Sequence, residues 1–125
     1  MANNFKNAGV SSVSTNSASP TTIYRANTSQ DGSGSAVNSI LIELDISNTS
    51  SSAVSATVLL YDKDASDTAG SDVQYHIVKD APIPAGSALK VVSGQKIVLN
   101  QNDEVRVYAT AATVDAIASI LEGVN

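Results

Sequence analysis

Apolar and polar residues alternate with a period of two along much of this chain, the spacing that sends successive side chains to opposite faces of a β-strand. The clearest run is Ser39 to Ser47, SILIELDIS. It predicts a strand with Ile40, Ile42, Leu44 and Ile46 on one face and Leu41, Glu43, Asp45 and Ser47 on the other. In AVSATVLLYDK, Val54, Ala56, Val58 and Leu60 oppose Ser55, Thr57, Leu59 and Tyr61, and the short NTSSS between the two runs predicts that they pair as an antiparallel hairpin. VQYHIV, ALKVV, QKIVL, EVRVYAT and TTIYRA supply further strands, GVSSVST a weak one, and Ser93-Gly94 has the form of a two-residue turn between ALKVV and QKIVL. VDAIASILE can be read two ways, as a helix that tolerates its Ala and Leu or, the reading its short length favours, as a strand with Val114, Ala116, Ala118 and Ile120 on one face.

Clusters of Ser, Thr, Asn, Asp and Gly, such as NTSQDGSGSAVNS, separate these runs as loops. In DAPIPAGS, Pro82 and Pro84 each fix φ and remove a ladder donor, so the stretch cannot continue a central strand, and Gly86 frees the backbone to enter the next one. The sum is eight or nine short strands without a convincing amphipathic helix. The predicted fold is therefore all-β, an antiparallel β-sandwich or jelly-roll-like barrel of about eight strands. At 125 residues the chain suits one domain over 1–125, with residues 1–19 read as an extended N-terminal arm or a packed strand.

With one Phe, four Tyr and no Trp, the core has to be built from Val, Ile, Leu and Ala, and so thin a core favours an oligomer or a larger assembly. Seven Lys and Arg against twelve Asp and Glu give a net charge of −5, with the basic residues scattered singly, which argues against nucleic acid as a partner. Absence of cysteine excludes disulfides and thiolate chemistry. No apolar run reaches the length of a membrane-spanning helix, and the N-terminus has no signal-peptide pattern, so a soluble product made in a cytoplasm is expected.

Candidate chemistry is sparse. His76 is the single histidine, no Gly-x-Ser-x-Gly elbow accompanies it, and its strand position suits a surface residue better than a catalytic one. Asp62, Asp64, Asp67 and Asp72 crowd one loop and could ligate calcium through oxygen, but the spacing departs from the helical-hand pattern after Asp64, and a solvated turn accounts for it. Glu43, Asp45, Glu104, Asp115 and Glu122 read as outward charges that keep strands soluble, not as a catalytic carboxylate pair. The reading is non-enzymatic, with no catalytic residue, cofactor or metal. A carbohydrate-binding sandwich, with the aspartate loop and Tyr61 or Tyr75 at the sugar site, is the alternative from another class.

Beyond these residue-level readings, the MANNFKNA start, TTIYRA, and the run YHIVKDAPIPAGSALKVVSGQKIVLNQNDEVRVYATAATVDAIASILE resemble small tailed-bacteriophage virion structural proteins. The elements that carry the resemblance are Ile83 to Ser87, Lys96 to Leu99, Asn102-Asp103, Val105 to Val107 and Asp115 to Glu122. It covers the C-terminal half well and the first half poorly. The resemblance implies a virion component, with a capsid decoration or cement protein that stabilises the head shell as the leading expectation and a neck, tail or fibre-associated protein as the alternative. In that role the chain is expected to form a homo-oligomer, with a trimer as candidate, partnered by the major capsid protein or other virion proteins. The expected contact residues are Phe5, Lys6, Val10 and Val13 in the arm and Pro82, Ile83 and Pro84 in the proline loop. Deleting residues 2–13 is expected to leave the domain folded and weaken particle association.

Overall fold

A computed structural model describes residues 4–26, 38–62, 73–100 and 102–124. They form eight strands: β1 (Asn4–Val10), β2 (Thr21–Arg25), β3 (Asn38–Asn48), β4 (Val54–Asp62), β5 (Val73–Ile83), β6 (Ala88–Leu99), β7 (Glu104–Ala109) and β8 (Val114–Val124). One four-stranded sheet has the order β1-β8-β3-β6 and the other β2-β7-β4-β5, all antiparallel. Every connection except β4–β5 crosses from one sheet to the other. That is the wiring of a jelly roll, in which a long antiparallel ribbon folds over into two facing sheets.

The predicted all-β class is therefore found, but the predicted β3–β4 hairpin is not: the two strands lie in different sheets. The physical reason is distance. Neighbouring strands are about 4.8 Å apart and facing sheets about 10 Å, and a five-residue loop such as 49–53 spans either gap. Asn48 closes this crossing. Its side-chain amide donates to the carbonyl oxygens of Ser52 (2.7 Å), Ile83 (3.0 Å) and Pro84 (3.3 Å), tying the β3–β4 loop to the β5–β6 turn. In that turn Ser87 N–H donates to Pro84 O at 3.1 Å and Gly86 takes φ 68°, as the proline loop required. Strand β5 nevertheless runs through Pro82 to Ile83, which is tolerated because β5 is an edge.

The core lies between the sheets, built from Leu41, Leu44 and Ile46 of β3, Val92 and Leu99 of β6, Val105 and Val107 of β7, and Val114 and Ile120 of β8, all nearly or wholly inaccessible. Burying each such side chain is worth about 1.5–3 kcal/mol before the cost of ordering the chain. On β8 the buried residues follow the predicted alternation, and on β4 Val54, Ala56 and Val58 face the core as read.

On β3 the alternation breaks. Ser39 and Leu41 are buried on one side of a register shift at Ile42, Leu44 and Ile46 on the other, so Leu41 points inward and Ile40 and Ile42 do not. Across the shift, two steps along β3 match one along β8, a β-bulge that resets which face is buried. Opposite it, β6 advances from Ser93 to Ile97 while β3 advances from Glu43 to Leu41. The Ser93-Gly94 pair is thus not a hairpin turn but part of a bulge inside one twelve-residue strand, with Gly94 at φ 106° and Lys96 at φ 55°. Gln95 replaces the interrupted ladder: its side chain accepts from Ser93 N–H (2.9 Å) and donates to Val91 O (3.1 Å).

Of the two readings of the N-terminal segment, the described residues adopt the packed strand. Residues 4–10 are a full member of the first sheet, paired with β8 from Asn4 to Val10, and the strand lies ahead of the predicted GVSSVST. Val13 is 1% exposed, in the core. Residues 4–10 and Val13 are thus part of the packed sandwich and not a free arm.

Candidate functional site

The two sheets present very different outer faces. On the β2-β7-β4-β5 sheet the outward positions of β4 and β7 are closed by their own side chains. Thr57, Leu59 and Tyr61 are all buried although they point away from the core, and the Arg106 guanidinium lies 4.1 Å from the Tyr61 ring centroid. Glu104 completes this cover. One carboxylate oxygen accepts from Thr22 Oγ1 (3.0 Å), Arg106 Nε (2.8 Å) and Arg106 Nη2 (2.8 Å), and the other lies 4.0 Å from Arg25 Nε. Each neighbouring cation offsets the cost of holding the carboxylate out of water.

The other sheet leaves apolar side chains in water. Phe5 of β1 is opposite Leu121 of β8, Leu121 opposite Ile40 of β3, and Ile40 opposite Val98 of β6. Because directly opposite residues share a face, these four make one apolar row across the whole sheet, one from each strand. Phe5 is 76% and Val98 62% exposed, while Leu121 and Ile40 are half-buried between them. Next to this row runs a polar one, Asn7, Ser119, Glu43 and Ser93, and beyond it Ile117, 51% exposed, sits beside Gly9. A shallow depression lined by Phe5, Lys6, Asn7, Ser119 and Ile120 opens at the β1 side. A contiguous exposed apolar row of this kind is the feature by which contact surfaces on soluble proteins are recognised.

Beneath the row, at the same end of the sandwich, Tyr24 reaches across the core from β2. Its hydroxyl donates a hydrogen bond to Glu122 Oε2 and lies 2.9 Å from Ser39 Oγ. Lys6 Nζ is 3.8 Å from Glu122 Oε2 and 5.8 Å from the Tyr24 ring centroid. Burial, and next the hydrogen bond to the Glu122 carboxylate, push the Tyr24 phenol well above its ordinary value. This polar group pins β1, β2, β3 and β8 together under the exposed face. It also corrects the reading of Glu122 as an outward charge, since Glu122 points inward and is 3% exposed, whereas Glu104 keeps its outward position but is buried there under Thr22 and Arg106.

The expected contact residues divide. Phe5 is at the surface, Lys6 is partly exposed, and Pro82 and Pro84 are exposed. Val10 packs partly against the core, and Val13 and Ile83 are each 1% exposed. Val13 and Ile83 are therefore core residues, not surface contacts, because the chain turns inward at both positions to fill the ends of the sandwich. The proline loop and Phe5 do not come together: the loop belongs to the β5–β6 connection, while Phe5 opens β1 at the end where β8 closes. Leu121, Ile40, Val98 and Ile117 were not singled out from the sequence, and their common row emerges only from the register of non-adjacent strands.

His76 is exposed on β5 opposite Leu59. Tyr61, one of the two aromatic candidates for sugar stacking, is covered by Arg106 and unavailable for it, whereas Tyr75 is 53% exposed. Asp62 ends β4, and the other aspartates of that loop lie outside the described residues. Among the described residues no group of three or more His, Cys, Asp or Glu side chains is placed to hold a metal ion. Against protein-family models, curated proteins and solved structures, the chain has no match.

Proposed function

We propose that the protein is a non-enzymatic structural component of a tailed-phage virion, a decoration or cement protein that seats the outer face of the β1-β8-β3-β6 sheet on the head shell. The observation that carries this reading is the apolar row Phe5, Leu121, Ile40 and Val98, left in water across one sheet while β4 and β7 of the other close their outward positions with their own side chains. An exposed row backed by a rigid sheet and an interior polar clamp is suited to binding a preformed surface with little loss of conformational freedom. The resemblance of the C-terminal half to phage virion proteins supports a place on the particle, and the major capsid protein is the surface this reading assigns. Fold alone cannot, since jelly rolls serve capsids, lectins and enzymes alike.

Adding purified chain to particles that lack it provides the test. The double variant Phe5→Ser with Val98→Ser is expected to bind such particles at least about tenfold more weakly, as the loss of two apolar anchors implies. Undiminished binding would remove this face from the contact, and failure of the unaltered chain to bind any particle component would remove the reading itself. Location at a neck, tail or fibre is distinguished by copy number.

A further inference from the structure

Of the four sheet edges, three carry the devices that prevent edge-to-edge pairing. Strand β2 is five residues long with a bulge at Ile23, β5 has two register shifts, Pro82 and Asp80 at φ 49°, and β6 has two register shifts with Lys96 at φ 55°. Strand β1 has no bulge, proline or positive-φ residue, and its single charge, Lys6, is drawn inward to Glu122. Its seven residues pair with β8 in unbroken register, and among the described residues nothing pairs with its other side.

We propose that this open edge pairs antiparallel with the β1 edge of a second copy, about a two-fold axis centred on Asn7, joining two β1-β8-β3-β6 sheets into one of eight strands. The register follows from side-chain chemistry. Residues directly opposite in a sheet share a face, so the axis has to pass through a residue position and not between two. Centring on Lys6 sets lysine against lysine, which is unfavourable. Centring on Ala8 carries Phe5 past the end of the facing strand, opposite Ser11. Centring on Asn7 sets Asn7 against Asn7, Lys6 against Ala8, and Phe5 against Gly9.

The last pair supplies the fit. Phe5 is the most exposed large apolar side chain among the described residues, and the half-exposed Ile117 of β8 leans over Gly9, its Cδ1 3.3 Å from where a Gly9 Cβ would stand. A facing aromatic ring meets no side chain from Gly9 itself and packs on the exposed Ile117 that leans over it, an apolar cross-strand contact. Two-fold symmetry makes that contact twice. The apolar row of one copy then continues through Phe5 onto Ile117 of the other. Lys6, already beside Glu122, brings no like charge to the seam. The association builds a dimer in place of the trimer named from sequence, and it rests on the reading that the chain self-assembles, not on its place in a virion.

The experiment uses the full chain in solution, without particles, so its outcome is separate from that of the particle-binding test. Sedimentation of the unaltered protein is expected to show a concentration-dependent dimer. Asn7→Lys and Asn7→Asp, both at an exposed position, should each weaken dimerisation at least tenfold while leaving the circular dichroism spectrum unchanged, and a one-to-one mixture of the two should restore it. In a chain with no cysteine, Asn7→Cys should form a crosslinked dimer on oxidation, because facing residues in an antiparallel pair lie about 4.5–5.5 Å apart at Cα, whereas Ser119→Cys, one strand away from the axis, should not. A monomer at all concentrations, a trimer, a dimer indifferent to Asn7→Lys, or equal crosslinking from both cysteine positions would overturn the proposal.

Discussion

Tyr24 is the residue at which burial, hydrogen bonding and charge meet, and it ties stability to pH. An unfolded tyrosine releases its proton near its ordinary value of about 10, while in the folded protein burial and the Glu122 carboxylate hold the proton to higher pH. Above pH 10 the unfolded state therefore binds fewer protons than the folded one. The stabilisation is complete below the unfolded value and is lost as pH rises toward the native one. Tyr24→Phe is expected to cost about 1–3 kcal/mol at pH 7, because the buried Glu122 carboxylate loses its donor, and to show a shallower loss of stability between pH 9 and 11 than the unaltered protein. Urea unfolding across that range checks both, and parallel pH profiles would contradict the assignment. Gly86 offers a purely conformational test. A Cβ there meets nothing within 4 Å, yet φ is 68°, so Gly86→Ala should cost about 1–2 kcal/mol through backbone strain alone.

At the scale of elements, the connections matter as much as the strands. Asn48, 2% exposed, supplies donors to three main-chain carbonyls from two loops and accepts from Ser50 N–H (3.0 Å). Asn48→Ala is expected to lower stability by about 2–4 kcal/mol, measurable as a drop in the urea midpoint at unchanged slope, whereas Ser52→Ala, which keeps the accepting carbonyl, should be near neutral. Strand existence was legible because period-two runs between turn residues are nearly unambiguous, and β8 was read with its buried face correct from Val114 to Ile120. The phase of β3 was not, since adjacent Leu41 and Ile42 give no local sign of which is the bulged residue. Nor does loop length separate a hairpin from a crossing between sheets. Glu104 did have a local signal of burial in Arg106, two residues on and on the same face. Glu122 had none, because Tyr24 lies 98 residues away.

For the molecule as a whole, only β4 and β5 are both sequential and paired, while β1 closes against β8 across nearly the full chain. Folding thus has to bring distant segments together before most pairing begins, which places refolding in the millisecond-to-second range typical of all-β sandwiches; stopped-flow fluorescence of the tyrosines would measure it. Deleting residues 2–13 removes a strand from the first sheet, so it is now expected to destabilise the domain and not merely to release it from a particle. Surface variants such as Phe5→Ser with Val98→Ser should change stability by no more than about 0.5 kcal/mol, separating the binding face from the core. The apolar row was illegible from sequence because its members come from four strands whose order only the folded sheets establish. The most direct measurement of the central claim is the abundance of this chain in purified virions, quantified by mass spectrometry against the major capsid protein. A decoration role predicts a fixed ratio to that protein, with copies on the order of hundreds per particle, as a shell built by repetition requires; a dozen copies or fewer, or absence from the particle, would contradict it.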